Sequence, residues 1–508
     1  YRAALRFSDA AGAQRRVVGV TLPGAPPVVV VGSNGKLAWG YTNSYGDYLD
    51  LVELGLDASR PGQVRTPAGW ETPVAHAETI LVKGAPAHTL SVRDSSLGPL
   101  REVAGRTYAL RWAAHAPGAV NVKARALELA DTIDAALAIA PTMRLPAQNL
   151  VAGDAQGNIG WTIAGPLPRR AKPGLASTFP LTGETADAAW NGWLAPADYP
   201  QVRNPAGGQL HTANSRQLAG PGADLLGDGG FDLGARSRQV RDDLTALGAQ
   251  TDVAGVYGVT LDDRAIFLSG WRERAIAALD AAALENQPRR AQFLHLLQSG
   301  WNGRASVDSV GYRLARGFMY GLHDILFEGA NEELVKLDDK ASFSLATRRW
   351  PVVIARLLDA QPAGWLPAQY ASWRALQLAA VDRAIAEARA DGKDLANATW
   401  GARNVAAIAH PISLAAPWLK RWLAAPPDML AGDNHMPRVN ASKSGQSERL
   451  TVSPGKEEQG VFNMPGGQSG HPWSPFFLAG HADWVGGKPT PLLPGPPRHV
   501  LTLVSLKK

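Results

Sequence analysis

Cysteine is absent from the 508 residues. That removes disulfides, thiolate metal sites and cysteine nucleophiles together, and leaves the redox character of the compartment open. Long apolar runs are equally scarce. The densest stretch, Pro26-Pro27-Val28-Val29-Val30-Val31, has the length of a strand and falls far short of the roughly 18 apolar residues of a membrane-spanning helix. No membrane partner is expected. Nor is there an excess of one charge: 51 Lys and Arg against 45 Asp and Glu give a net +6. The basic residues are scattered apart from short clusters such as Arg169-Arg170 and Lys507-Lys508, which read as solvated surface charge. A nucleic-acid partner is not expected either, because such proteins concentrate basic residues on one face or in one run. There is no repeat of fixed period, which argues against a solenoid or propeller. The histidines show no H-E-x-x-H spacing, so a zinc protease is unsupported.

What is present is a globular composition, 45% apolar and 19% charged, long enough for a large core and about three domains of ordinary size. The chain opens at Tyr1 without an initiator methionine or a signal-peptide pattern. It runs directly into Ala4-Leu5-Arg6-Phe7, a strand-like pattern, so its start is expected to lie mid-fold.

From Tyr1 to about Ser215 short β-branched runs such as Val17-Val18-Gly19-Val20 and Val28 to Val31 alternate with Gly, Pro and Asn turns. From about Ser237 to Arg389 the apolar spacing is helical, as in Leu268, Trp271, Ala275 and Leu279, and in Trp373, Leu376 and Ala380. A second β signal runs from about Arg449 to Val504, through Gly460-Val461-Phe462-Asn463 and Val500-Leu501-Thr502-Leu503-Val504. The order predicts a sheet-based core over residues 1–236, a mainly helical insertion over 237–400, and a return of the chain to the β core over 401–508, its late strands pairing with early ones.

Several segments carry possible chemistry. Gly32-Ser33-Asn34-Gly35 leads into Trp39-Gly40-Tyr41-Thr42-Asn43, with Asn34-Gly35 suited to the positive backbone angles of a tight hairpin. In Tyr45-Gly46-Asp47-Tyr48-Leu49-Asp50 the two aspartates could supply oxygens to a hard cation, or could bond to nearby N–H groups in a turn. Ser469 and His471 invite a serine hydrolase reading. A nucleophile elbow, however, needs glycine two residues on either side of the serine, and His471 fills the second place. That segment therefore reads as a structural loop.

Three further stretches settle what the chain is similar to: Gln148-Asn149-Leu150-Val151-Ala152-Gly153-Asp154-Ala155-Gln156-Gly157-Asn158-Ile159-Gly160-Trp161, Leu210-His211-Thr212-Ala213-Asn214-Ser215-Arg216, and Pro465-Gly466-Gly467-Gln468-Ser469-Gly470-His471-Pro472. With Trp190-Asn191-Gly192-Trp193, Asn204-Pro205 and Thr399-Trp400-Gly401 between them, in this order and spacing, the chain resembles the large subunit of the penicillin acylases from about Tyr1 to Pro491. The resemblance implies an α+β fold, an αββα sandwich of the N-terminal-nucleophile hydrolase type with a helical insertion. It also implies hydrolysis of an N-acyl amide, such as a penicillin, cephalosporin or acyl-homoserine lactone, to a carboxylic acid and an amine.

In that family a precursor cuts itself to expose a serine whose own α-amino group is the base. With a reference pKa of about 7.7–8.0, such an amine is partly neutral near pH 7. The family's serine falls upstream of the position matched by Tyr1, so the nucleophile and the partner small subunit of the same precursor are expected outside this chain. By similarity, Asn214 donates its side-chain amide to the tetrahedral oxyanion and Asn43 its backbone N–H. Arg236, 22 positions after Asn214 and close to Arg238 and Arg241, resembles the family arginine that helps to hold the asparagine and the substrate. The family's structural Ca²⁺ maps onto Asp47, the carbonyl of Leu49, Asp50, the carbonyl of Pro168, and Asp224, with one more carboxylate from the small subunit. Asp224 requires a one-residue shift against the spacing that places Arg236. The family is usually exported, which implies a periplasmic or secreted protein. The alternative is a non-catalytic binding relative whose upstream region carries no serine.

Overall fold

The computed structural model describes residues 1–24, 28–390, 392 and 394–504. Pro26, Pro27, Lys507 and Lys508 lie outside them.

Seven antiparallel strands form the first sheet, in the spatial order Arg2–Ser8, Gln14–Val20, Val31–Ser33, Leu37–Asn43, Gln148–Asp154, Ile159–Ala164 and Gln201–Arg203. Successive side chains in a strand point to opposite faces, and Val17 and Val18 divide accordingly. Val17 joins Leu37, Trp39, Leu150 and Ala152 on one face, against Ile133, Ala136 and Leu137 of the helix Ile133–Ile139. Val18 lies on the other face, with Phe462 and Leu492.

Phe462 comes from a late hairpin, Arg449–Thr451 paired with Val461–Asn463. On the hairpin's far side Asn463 Nδ2 donates to the Tyr257 hydroxyl at 2.8 Å, and Tyr257 belongs to the helix Val253–Thr260. The order of layers is thus helix, sheet, sheet, helix: the chain is an αββα sandwich of the α+β class, with a helical insertion. The expectation that late strands pair with early ones is corrected here. The late strands hydrogen-bond to each other and meet the first sheet face to face, through apolar side chains.

A second sheet, of six strands, runs in the order Leu181–Thr182, Leu49–Glu53, Arg106–Trp112, Gly98–Val103, His88–Ser95 and Val74–Ile80. Its buried side chains, Val52, Ala109 and Leu181 among them, lie at the Leu49–Glu53 end, whereas Val74–Ile80 is exposed throughout.

The helical middle is built on the 28-residue helix Val310–Leu337, capped by the Ser309 hydroxyl on the Tyr312 N–H. Its Gly317 and Gly321 lie against Ala384 and Ala380 of the helix Trp373–Ala388; a Cβ on Gly321 would stand 3.0 Å from the Ala380 carbonyl. Small residues on both helices permit this approach, and Phe318, Leu322, Leu376 and Val381 fill the surrounding core. Among the described residues no helix is long and apolar enough to cross a membrane.

Two strand expectations fail locally. Val500 to Val504 is not in a strand, and Val500, Leu501, Leu503 and Val504 are exposed. An apolar run becomes a strand only when a neighbour satisfies its backbone. Likewise Val28 to Val30 precede the strand, which begins at Val31; the Val29 N–H is instead satisfied by the buried Glu128 carboxylate at 2.9 Å.

Candidate active site

Asn43 ends the strand Leu37–Asn43, paired with Gln148 across the ladder. The local frame is held by the family-like segments. Asn149 accepts from Trp161 Nε1 at 3.0 Å and donates to Thr42 Oγ1 at 3.1 Å, bridging three strands in the buried layer. Asp154 accepts from the backbone of Ile133, Gln156 and Asn158, so one carboxylate closes the hairpin turn and meets the N-terminus of the helix Ile133–Ile139. At the Asn34-Gly35 turn only Gly35 has positive φ, +86°. Asn34 works through its side chain, donating to the carbonyls of Leu127, Glu128 and Ala130. The expected tight hairpin forms, closed by the Asn34 N–H on the Leu37 carbonyl at 3.0 Å, and the Asn34 side chain adds a tether to the segment 127–130.

Asn214 lies far away in sequence, on an irregular segment. Its φ of +67° is in the left-handed region that asparagine tolerates better than other non-glycine residues. There its Nδ2 donates to the Asn43 carbonyl at 3.1 Å. Its Oδ1 accepts from the Arg236 guanidinium at 3.0 Å, and the same guanidinium nitrogen bonds to Asp232 Oδ2 at 2.5 Å. The Asp232 N–H in turn donates to the Asn214 carbonyl at 3.0 Å, closing a ring of three residues. The ring depends on the helix Ala235–Leu247 starting at Gly234, whose φ is +91°. That start places Arg236 one turn after Asp232. Of the three neighbouring arginines, Arg236 is the one the fold brings to Asn214. Arg238 and Arg241 pair with Asp242 in exposed bridges.

Asp232 was not anticipated. Its only signal in the sequence is the i,i+4 spacing to Arg236. The segment between Asn214 and Arg236 is also tied to the loop after Asn43: Asp47 N–H donates to the Leu226 carbonyl at 2.7 Å and Gly229 N–H to the Tyr45 carbonyl at 2.9 Å. A Cβ on Gly229 would stand 2.2 Å from the Gly46 carbonyl, so this contact requires glycine.

The Ser469 loop behaves as a structural element. Ser469 Oγ accepts from the His471 N–H at 3.1 Å, and His471 Nδ1 accepts from the Trp473 N–H at 3.3 Å, so serine and imidazole serve the backbone separately.

Of the expected calcium ligands, Asp47 and Asp50 come together, and among the described residues Asp224 does not join them in a group that could hold a metal. Asp47 and Asp50 are buried side by side, but between them lies Arg170, whose side chain is 4% exposed. Its guanidinium bonds to Asp47 Oδ1 at 3.1 Å, to the Asp47 carbonyl at 2.6 Å and to Asp50 Oδ1. Trp190 Nε1 takes the remaining Asp50 oxygen at 2.5 Å. Of the four carboxylate oxygens of Asp47 and Asp50, Asp47 Oδ2 is the one buried without a partner, and burial pushes this carboxyl up to about 6 against the pull of Arg170. Asp224 is exposed on the short helix Pro221–Leu226, and its carboxylate faces Gly174. Leu49 and Pro168 sit in strand ladders opposite Trp112 and Trp193. Among the described residues no three His, Cys, Asp or Glu side chains form a group that could hold a metal. One free carboxylate oxygen is a poor match for the six to eight oxygens Ca²⁺ takes, so the residues present do not fit the ion. The reading of Arg169-Arg170 as surface charge holds for Arg169 alone, which is half-exposed.

Residues 2–497 match the penicillin amidase family. The chain is 24% identical over 501 residues to penicillin acylase 2 proenzyme of Pseudomonas sp. (strain SE83), covering 94% of this chain and 61% of that protein. It is 24% identical to acyl-homoserine lactone acylase QuiP of Pseudomonas aeruginosa, covering 93% and 61%. The chain thus spans 61% of the length of each of these relatives. Penicillin G acylase of Escherichia coli is 31% identical over 232 residues, 42% of this chain and 26% of that protein. The solved structure of the thermostable penicillin G acylase from Alcaligenes faecalis superposes with a TM-score of 0.66 at 17% identity, covering 100% of this chain and 95% of that one, and so shares its fold. With the sandwich and the family match over nearly the whole sequence in agreement, the chain belongs to the penicillin amidase family.

Proposed function

We propose that this chain supplies the oxyanion-stabilising half of an amidohydrolase that cleaves N-acyl amides of the penicillin or acyl-homoserine lactone kind to a carboxylic acid and an amine. The observation that carries the reading is the amide of Asn214 held at both ends. Arginine only donates and a backbone carbonyl only accepts, so Arg236 and the Asn43 carbonyl permit one orientation of that amide. Nδ2 carries two hydrogens. One is committed to Asn43, and the second is left for the negative oxygen of a tetrahedral intermediate, alongside the Asn43 backbone N–H. Donors fixed in advance need no reorganisation as the charge develops, which is where most of their catalytic benefit arises.

In this reading the nucleophile is an N-terminal serine encoded upstream and exposed by self-cleavage of the precursor. Its hydroxyl attacks the amide carbonyl and its α-amino group takes the proton, which then passes to the departing amine. The acyl-serine is hydrolysed in the second step. The small subunit of the same precursor is the partner, and the family resemblance favours the periplasm as location. The names of the relatives support the substrate class.

The test uses the full-length gene product. Mass spectrometry should find an acyl adduct on an N-terminal serine after brief exposure to a chromogenic N-acyl anilide, with release of the aniline. A product without such a serine, which binds the anilide without turnover, would make the protein a binding relative.

A further inference from the structure

Two carboxylates that share a buried site must be balanced by positive charge, because an unpaired buried carboxylate is strongly disfavoured. At Asp47 and Asp50, whose side chains are 3% and 1% exposed, the balance comes from the chain itself. Arg170 enters from the strand Pro168–Arg170 and bonds to both aspartates, while Arg111 stands directly opposite Asp50 across the strand pair Leu49–Glu53 and Arg106–Trp112. Both guanidinium groups lie over the Trp190 ring, at 5.3 Å and 4.7 Å from its centre, and the Trp190 N–H bonds to Asp50. Two negative charges thus meet two positive ones, the charge that a bound divalent cation would bring.

We propose that Arg170, seconded by Arg111, is a built-in replacement for a structural divalent cation, so that this protein holds the loop after Asn43 without Ca²⁺. The geometry suits a guanidinium. Its planar fork presents several N–H groups at fixed angles, and here they reach two carboxylates and the Asp47 carbonyl, tying residues 47–50 to residues 168–193. A calcium ion would need the same Asp47 and Asp50 oxygens and would have to displace a side chain that has no exposed position in this structure. The proposal is independent of the catalytic reading: it concerns folding and metal content and holds whether or not the protein turns over amides.

The experiment takes the full-length gene product, strips it with EDTA, and compares its thermal melting and its metal content, by plasma mass spectrometry, with and without millimolar CaCl₂. The two melting temperatures should coincide, and no stoichiometric calcium should remain before stripping. Arg170→Met should lower the melting temperature by several degrees through the unpaired carboxylates it leaves. Should that variant fail to fold, Arg170→Lys, which keeps the charge and loses the fork, should fall between it and the parent. Tightly held calcium in the parent, a rise in its melting temperature on adding CaCl₂, or an Arg170→Lys variant that melts like the parent would each overturn the proposal.

Discussion

Arg236 donates to Oδ1 of Asn214 at 3.0 Å, and that bond decides which end of the amide faces Asn43. The two residues are linked twice through Asp232, by a carboxylate on the guanidinium and by an N–H on the Asn214 carbonyl. A side chain held at both ends in this way is restricted to one rotamer.

Removing the amide should therefore be felt in the transition state more than in binding. Because the φ of Asn214 is +67°, glycine is the cleaner substitution; alanine would add roughly 1–2 kcal/mol of backbone strain. In the full-length enzyme Asn214→Gly should lower kcat by about 10²–10³ and leave KM nearly unchanged. Steady-state kinetics on folded material checks it. A normal kcat would remove Asn214 from the chemistry.

On the proposed reading Arg236 positions Asn214 and does not touch the substrate, so its loss should be milder and of a different kind. Arg236→Met frees Oδ1, so the amide can flip and present oxygen to the oxyanion in part of the population. We expect kcat to fall by less than in Asn214→Gly. The double variant should be little worse than Asn214→Gly alone, as for residues that act as one unit. Additive losses would show that Arg236 works independently of Asn214.

If the nucleophile lies upstream, the 508-residue chain on its own should release no aniline from a chromogenic N-acyl anilide, while the processed full-length protein should. Turnover by the purified 508-residue chain, measured by absorbance, would sink the upstream-serine reading and leave the family assignment intact.

Asp154 links pH to stability. Burial opposes its charge, but hydrogen bonds from Asn158, Ile133 and Gln156 outweigh it and hold the carboxyl below the ordinary range. A folded value below the unfolded one, about 3.9, contributes stability that is complete above that value and is lost as the pH falls through the folded one. Asp154→Asn should cost about 1–3 kcal/mol near neutral pH. The gap between variant and parent in urea unfolding should close only below about pH 4. A gap that persists unchanged to pH 2 would deny the carboxylate this role.

Phe462 tests the return of the chain. It is fully buried between the first sheet and the late hairpin, so Phe462→Ala should cost about 3–5 kcal/mol through the cavity it leaves. A loss below 1 kcal/mol would mean that the late hairpin is not seated on Val18.

Much of the architecture was legible in the linear text, because periodicity and turn chemistry are local. Val17-Val18 reads as a strand and Leu268, Trp271 and Ala275 as a helix from spacing alone, and the family-like segments single out Asn43, Asn214 and Arg236, which the fold brings together. Arg170 is the counterexample. Beside Arg169 in sequence it looks like solvated charge, yet one arginine is half-exposed and the other buried between two aspartates 120 and 123 residues away. The run Val500 to Val504 has the composition of a strand and finds no partner, whereas Val461–Asn463 does. Sequence thus determined which segments can be strands or helices, and which residues could donate or carry charge. Only the tertiary structure decided which strand found a neighbour and which charge lost its water, since pairing and desolvation depend on groups that the chain brings together from hundreds of residues apart.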